Sequence, residues 1–152
     1  MPSGNRKMMV MADFRTAIEI AAPPARVWSI ISDVERWHEW TASITRIERL
    51  DSGPLRIGSR AIVRQPKLPQ NRFEVTALEE GRGFTWESKN PGLRGLGHHW
   101  IEPTATGCRA TLGVDFRGPL AWPISRLYGT LTQRYIEMEA AGLKRRCEAP
   151  NA

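Results

Sequence analysis

Hydrophobic and polar residues alternate along most of the chain, and this alternation predicts strands. From Asp13 to Ile20, apolar residues and Thr16 occupy one side while mostly charged residues occupy the other, as in a half-buried strand. The same period of two returns between Ser43 and Phe116, where recurring turn sequences divide it. We expect six further strands near residues 43–50, 58–65, 72–79, 83–89, 97–102 and 108–116. Their short connections favour an antiparallel meander.

Helical patterns precede and follow this meander. Pro23-Pro24 ends the first strand and suits the first turn of a short helix, whose apolar residues begin at Val27. Ser32-Asp33 can cap a second short helix. After Gly118-Pro119, apolar residues recur every three or four positions, which predicts one long amphipathic helix ending near Arg146.

The order of these elements predicts an α+β fold, because the helices are segregated from an antiparallel sheet. Seven strands must curl to bury their inner face, and one long helix fills only part of the concavity. We therefore expect a hollow between the sheet and the C-terminal helix. The domain should span residues 13–148, between a disordered leader at 1–12 and a short tail at 149–152.

Composition excludes several classes of protein. The chain of 152 residues is 41% hydrophobic and contains 6 Trp, so it is not a disordered or low-complexity chain. Its apolar runs fall well short of the ~20 residues that span a bilayer, and the apolar stretch in the leader is too short for a signal peptide. Cys108 and Cys147 lack any C-x-x-C spacing and are interpreted as reduced thiols. We therefore expect a cytoplasmic protein.

The positive charge is concentrated in one segment. The formal net charge is +6, and the segment from Ser43 to Arg72 contains seven basic residues and only two acidic ones. Strand parity places Arg60 and Arg64 on the outer face of the sheet, where they form a basic stripe. This stripe is either a solvated face or a contact for an acidic partner protein or an anionic membrane surface. Nucleic acid is disfavoured because no aromatic stacking platform accompanies the arginines.

Several passages resemble the START-like or SRPBCC superfamily with its helix-grip fold, and within it the bacterial polyketide cyclase/dehydrase-like branch. The resemblance covers nearly all of residues 13–148. Its residues are turn, capping and packing positions, so they specify the fold better than the chemistry. The matching passages are 18–28, 32–40, 57–60, 101–103 with Gly107, 116–120 and 142–146.

The resemblance implies an internal pocket for a hydrophobic or amphipathic small molecule, between the sheet and the long helix. We expect no cofactor. Members of the superfamily bind lipids, sterols, quinones, plant hormones or polyketides, and a minority catalyse cyclisation or dehydration. Fold alone does not choose among these functions. The segment Pro66–Asn71 carries two prolines, so the entrance loop expected there should be stiffer than a Gly-rich one.

Inward-facing aromatic residues are the best candidates for ligand contacts. Strand parity places Phe73, Trp86 and Phe116 on apolar faces, and Tyr128 with Tyr135 lies on the apolar face of the long helix. Together they favour a planar or ring-bearing ligand, although ordinary core packing is the alternative for each of them.

Histidines and the remaining tryptophans extend this set. His99 should face the pocket and His98 the opposite side. Trp40 either closes the pocket or helps to fasten the short helices beneath the sheet edge. Trp100 should lie exposed on the outer face, where it suggests a partner or dimer contact, so we expect a monomer or weak dimer.

No convincing catalytic or metal-binding motif accompanies these residues. The cysteines and histidines lack zinc-ligand spacing, and Glu137 and Glu139 are interpreted as solvent-facing. The preferred hypothesis is a non-catalytic module that binds or transfers a hydrophobic small molecule. The alternative is a polyketide cyclase or dehydratase that uses His99, Tyr128 and, if it faces inward, Arg49.

Overall fold

Seven antiparallel strands form one curved sheet that wraps around a long C-terminal helix. The computed structural model describes residues 11–150. The strand order across the sheet is β1-β7-β6-β5-β4-β3-β2, so β2 to β7 form a continuous meander and β1 closes its far edge against β7. The strands are β1 (Met11–Ile20), β2 (Arg46–Arg49), β3 (Arg60–Arg64), β4 (Asn71–Glu79), β5 (Gly83–Asn90), β6 (Leu93–Thr104) and β7 (Gly107–Arg117).

Three helices complete the fold. Helix α1 (Pro24–Ile31) begins at the predicted proline, and a 3₁₀ helix (Val34–Glu39) follows it. Helix α2 (Ala121–Glu148) has 28 residues, which at 1.5 Å per residue gives a length of about 42 Å. It packs mainly against β1 and β7 and lies across the concave face of the sheet. The predicted α+β, helix-grip architecture is confirmed.

A bulge in β4 preserves the inward-facing row of side chains. The register between β4 and β5 shifts between Val75 and Ala77, so that Val75 pairs with Trp86 and Leu78 pairs with Phe84. Without the extra residue, strict alternation would turn Leu78 toward the outer face. The apolar face therefore continues to the end of the strand.

The largest part of the core lies beneath the C-terminal half of α2. Val27, Ile31 and Val34 from the short helices are buried there, with Trp37 beside them. The indole Nε1 of Trp37 donates a hydrogen bond to the Ile31 carbonyl at 2.9 Å. Leu143 of α2 belongs to the same cluster. This packing closes one end of the concavity.

Some element boundaries differ from the sequence-based expectation. β2 begins at Arg46 rather than residue 43, because Thr41 and Ser43 form a local turn in which their hydroxyl oxygens lie 2.7 Å apart. β6 begins at Leu93 rather than near residue 97, so most of the glycine-containing segment before residue 97 belongs to a strand. β1 begins at Met11, inside the expected leader, whose residues 1–10 lie outside the described residues.

Candidate functional site

A cavity of about 340 Å³ lies between the concave face of the sheet and helix α2. At one end its lining includes the exposed residues Pro69, Gln70 and Asn90, which mark the mouth. At the other end the lining includes buried His99 and Glu139. The cavity is therefore open at the mouth and closed at the deep end by the core.

Aromatic side chains form much of the wall. Trp86 on β5 lies beside Phe73 on β4, with ring centroids 5.2 Å apart, and the ring centroids of Trp37 and Trp86 are 5.6 Å apart. Phe116 on β7 and Tyr128 on α2 also line the cavity. The structure thus brings five of the six candidate residues, including His99, to one cavity, as strand parity and helical spacing placed them.

Trp40 is the candidate that lies elsewhere. Its ring packs against Trp37, with centroids 5.6 Å apart, and it belongs to the core rather than to the cavity lining. Trp37 lies within the 3₁₀ helix, whereas Trp40 directly follows it with a φ of −125°, outside the helical range, so the two indoles do not share one helical face. Trp40 therefore supports the deep end from behind.

The imidazole of His99 is held neutral at the deep end. Its Nδ1 lies 3.4 Å from the Phe84 carbonyl oxygen, its ring stacks on Phe84 at 4.5 Å, and Trp37 approaches it edge-on. Burial lowers the pKa of His99 to about 3, against the weaker opposing effect of the Phe84 carbonyl. Because a carbonyl only accepts, Nδ1 carries the proton in this contact and Nε2 is left as an acceptor.

Glu139 is the functional group that sequence reasoning missed. It was expected to face solvent, yet it is only 7% exposed and lines the cavity. Burial raises the pKa of Glu139 to about 7, with a smaller opposing effect from the Ser43 hydroxyl. Its sequence position contained the signal, because Glu139 lies four residues after Tyr135 and four before Leu143 on the apolar stripe of α2.

The loop at the mouth is tied to the long helix. Tyr135 on α2 donates its hydroxyl proton to the carbonyl oxygen of Pro66, in a short hydrogen bond. Lys67 has a φ of 66°, in the left-handed region that a non-glycine residue seldom adopts. The Leu68 amide closes the turn by donating to the Gln65 carbonyl at 3.2 Å. These contacts hold Leu68 and Pro69 at the mouth.

A polar network occupies the opposite, convex face of the sheet. His98 faces this side, as predicted, with Nδ1 2.9 Å from the Thr85 hydroxyl and Nε2 3.0 Å from Asp115 Oδ2. Asp115 also accepts hydrogen bonds from Arg15 at 2.6 Å and from Arg117 at 3.0 Å. Burial by itself would raise the pKa of Asp115, but the hydrogen bonds and charges of these partners lower it to about 2.

Trp100 contributes to the same network instead of standing free. Its indole Nε1 donates to the Thr85 hydroxyl oxygen at 3.0 Å, and the residue is half-buried rather than exposed. The sequence correctly placed Trp100 on the outer face but overestimated its exposure. The partner contact suggested for it therefore stays a prediction.

Arg49 lies away from the cavity. It shares a face with Ile47, but its guanidinium donates to the Gly53 carbonyl at 2.6 Å and to Asp51 at 3.1 Å. These contacts brace the connection between β2 and β3. Arg49 therefore cannot serve the role assigned to it in the cyclase hypothesis.

Within residues 11–150, no group of three or more His, Cys, Asp or Glu side chains is arranged to hold a metal ion. No helix in this part of the chain combines the length and apolarity needed to cross a bilayer. Cys108 and Cys147 are buried, free thiols.

A family model described as polyketide cyclase/dehydrase and lipid transport matches residues 11–148. The chain belongs to this family. The match includes every strand, both α-helices and all residues of the cavity lining. A search of curated proteins finds no match.

Solved structures of this family's fold superpose well on the chain at low sequence identity. The di-domain aromatase/cyclase StfQ of the steffimycin biosynthetic pathway is 13% identical with a TM-score of 0.76, over 95% of this chain and 53% of that one. The ZhuI aromatase/cyclase from Streptomyces sp. R1128 is 13% identical with a TM-score of 0.75, over 91% and 94% of the two chains.

A plant protein has the same fold. The major latex-like protein 151 from Panax ginseng is 10% identical with a TM-score of 0.72, over 92% of this chain and 99% of that one. At such identities these likenesses establish the helix-grip fold alone, and the function must be argued from the cavity.

Proposed function

We propose that this protein binds, and can transfer, a hydrophobic or amphipathic small molecule that carries at least one ring. The observation that carries the proposal is the aromatic-lined cavity of about 340 Å³, which is within the usual size range of small-molecule sites. Trp86 and Phe73 offer ring faces for stacking, and Tyr128 contributes from the helix. The family description includes lipid transport, which fits such a ligand.

The proposal is tested by filling the cavity without altering its charge. Thr132 is buried and lines the cavity, whereas Thr130 on the same helix is exposed, so Thr132→Phe and Thr130→Phe form a matched pair. N-phenylnaphthylamine, a neutral probe that fluoresces in apolar sites, should bind the wild type and Thr130→Phe alike. Thr132→Phe should weaken binding about tenfold or more. Failure of the wild type to bind, or equal binding by both variants, would refute the proposal.

A second candidate function is cyclisation or dehydration of a poly-ketone chain, free or bound to a carrier. Ring closure removes a proton from a carbon beside one carbonyl and delivers a proton to the oxygen of the carbonyl attacked. Glu139 can exchange a proton near neutral pH, and His99 Nε2 and the Tyr128 hydroxyl belong to the same cavity. StfQ and ZhuI, which share the fold, are described as aromatase/cyclases.

The test of this candidate uses a linear poly-ketone thioester, whose conversion to ring products is followed by mass spectrometry. Wild-type protein should accelerate ring closure above the spontaneous rate, and His99→Ala or Tyr128→Phe should lower that acceleration. A rate equal to the protein-free control would leave ligand binding as the sole proposed function.

We also propose that the basic stripe of Arg60 and Arg64 contacts an anionic membrane surface. Both side chains are exposed on the outer face of β3, and neither forms a salt bridge within residues 11–150. The sequence left an acidic protein and a membrane as alternatives. Trp122 and Leu127, 62% and 72% exposed on the first turns of α2 next to the mouth, favour the membrane.

We also propose that the protein is located in the cytoplasm. Its support is the pair of buried, unbridged cysteines, Cys108 and Cys147. Detection of a disulfide between them in protein isolated from its natural host under thiol-blocking conditions would contradict it.

A further inference from the structure

The deep end of the cavity carries a carboxyl group that the rest of the fold does not use. Glu139 has no salt bridge within the described residues, and its side chain has one long contact, from the Ser43 hydroxyl to Oε2 at 3.5 Å. An isolated charge in an apolar, aromatic wall is strongly disfavoured. An apolar residue of similar size would pack there at less cost, which is typical of a group retained for function.

The neighbours of Glu139 supply no counter-charge. On α2 it is flanked by Tyr135, Ile136, Gly142 and Leu143, and the ionisable groups that line the cavity with it are His99 from β6 and the two tyrosines of α2. His98 contributes to the lining but turns its imidazole toward Asp115 on the convex face. Among residues 11–150, the lining contains no Lys, Arg or Asp. A carboxyl group in this setting favours its protonated, donor form and ionises at higher pH than an exposed one.

We propose that the protonated carboxyl group of Glu139 donates a hydrogen bond to a neutral acceptor, a carbonyl or ether oxygen, at the inner end of the ligand. This inference rests on the proposed binding function and deepens it, because it defines the chemical class of the ligand. The cavity would select ring-bearing molecules that enter with a neutral acceptor first. It would reject molecules that present a carboxylate to the deep end.

A cationic ligand is the main alternative, since an ammonium group could pair with ionised Glu139. The charge at the mouth disfavours it. The three segments that form the mouth, residues 65–73, 90–97 and 117–128, contain five basic residues and no Asp or Glu. Arg94 and Arg117 pair with Glu87 and Asp115, so the excess positive charge comes from the other three. This excess opposes the entry of a cation and permits the entry of a neutral molecule. These basic residues are Lys67, Arg72, Arg94, Arg117 and Arg126.

The pH dependence of this recognition has a definite sign. Burial raises the pKa of Glu139 to about 7, whereas that of His99 is lowered to about 3. Between pH 5 and 9, therefore, Glu139 changes its charge while His99 stays neutral. The donor is present below about pH 7 and is lost above it, so preference for an acceptor-bearing ligand should decline through that range.

The experiment compares two probes of nearly equal shape. Acetylnaphthalene carries a ketone oxygen where isopropenylnaphthalene carries a CH₂ group, so their affinity ratio isolates the hydrogen bond. For the wild type, displacement of N-phenylnaphthylamine should show a ketone preference of about five- to tenfold at pH 5.5. The preference should disappear by pH 8.5, and naphthoate should bind more weakly than the ketone at both pH values.

Three variants assign the effect to Glu139. Glu139→Gln keeps a donor at every pH, so it should retain the ketone preference without pH dependence. Glu139→Leu removes the donor and should bind the two probes equally. Glu137→Gln, an exposed position on the same helix, should behave as the wild type.

The outcomes separate this inference from the proposed function. If isopropenylnaphthalene binds but the ketone is not preferred at pH 5.5, the role of Glu139 is refuted while the binding function stands. If neither probe binds, the binding function itself fails. Preference for naphthylethylamine, with affinity rising through pH 7, would overturn the neutral-acceptor class in favour of a cation.

Discussion

The backbone carbonyl of Trp40 lies directly against Gly142, with no room for a methyl group between them. The contact joins the end of the 3₁₀ helix to α2 at the closed end of the cavity. It also explains a glycine in the interior of a long helix, where this residue is otherwise unfavourable by about 1 kcal/mol relative to alanine. The close approach of α2 therefore requires glycine at this point.

Gly142→Ala should destabilise the fold. The added methyl group would overlap backbone rather than a movable side chain, so α2 must shift, and we expect a loss of about 2 kcal/mol in the free energy of unfolding. Urea denaturation followed by tryptophan fluorescence measures this loss. Gly129→Ala is the control, because its methyl group would meet only the Phe14 ring at 3.1 Å, which can yield. Equal stability of the two variants would contradict the assigned packing.

Burial of Glu139 should make stability decline as pH rises. The unfolded carboxyl ionises near 4.5 and the folded one near 7, so protons leave the unfolded state first and stability falls between these values. The wild type should lose about 3 kcal/mol across this window, and Glu139→Gln should lose correspondingly less. Urea unfolding at pH 4.5, 6 and 8 measures the difference. Parallel pH profiles would show that Glu139 ionises freely in the folded protein.

Asp115 and Asp13 should respond in opposite ways to neutralisation. Asp115 accepts hydrogen bonds from Arg15, Arg117 and His98, so Asp115→Asn should destabilise the protein by about 2 kcal/mol near neutral pH. Because the pKa of Asp115 is lowered to about 2, this contribution is lost as pH falls from 3.8 toward 2. Thermal or urea unfolding of the variant measures it.

Asp13 provides the matched control for that prediction. It pairs with Asp115 across β1 and β7, and its pKa is raised, first by burial and then by the charge of Asp115. Asp13→Asn should therefore leave stability unchanged or slightly higher. A loss as large as that of Asp115→Asn would mean that the network depends on packing and not on charge.

Reversal of the basic stripe should weaken attachment to anionic membranes. Arg60→Glu with Arg64→Glu should lower binding to vesicles of phosphatidylcholine and phosphatidylglycerol by about tenfold or more, since each basic residue near such a surface contributes about 1 kcal/mol. Vesicle co-sedimentation at low and high salt measures this. Arg134→Glu with Arg145→Glu makes the same net change at other exposed positions. An equal loss of vesicle binding in both double variants would show that Arg60 and Arg64 form a solvated face and not a membrane contact.

Local sequence patterns determined the elements of this fold and most of the cavity wall. Alternation and turn residues defined seven strands, and helical spacing defined α2, because both depend on neighbours within a few positions. The same periodicities placed Phe73, Trp86, His99 and Phe116 on inward faces. The bulge in β4 reversed none of these positions, because it lies beyond Phe73.

The chemistry of the deep end was decided by tertiary structure. Glu139 was assigned to solvent on its polarity, although helical spacing placed it among buried residues. Trp40 was named as a pocket candidate, yet Trp37 lines the cavity, because only the seating of the 3₁₀ helix against α2 and the sheet selects which indole reaches it. In both cases the position of the side chain depends on which part of the protein packs against its helix, and not on the helix itself.

On the convex face, too, sequence patterns determined some features and tertiary structure determined others. Sequence parity placed His98 and Trp100 on that face, but burial of Asp115 there requires Arg15 from β1 and His98 from β6 to cover it. Thus the sequence by itself determined the strands, the long helix and the inward or outward direction of most side chains, since backbone periodicity is local. Tertiary structure alone decided which polar groups lose their water, since desolvation depends on neighbours distant in the chain.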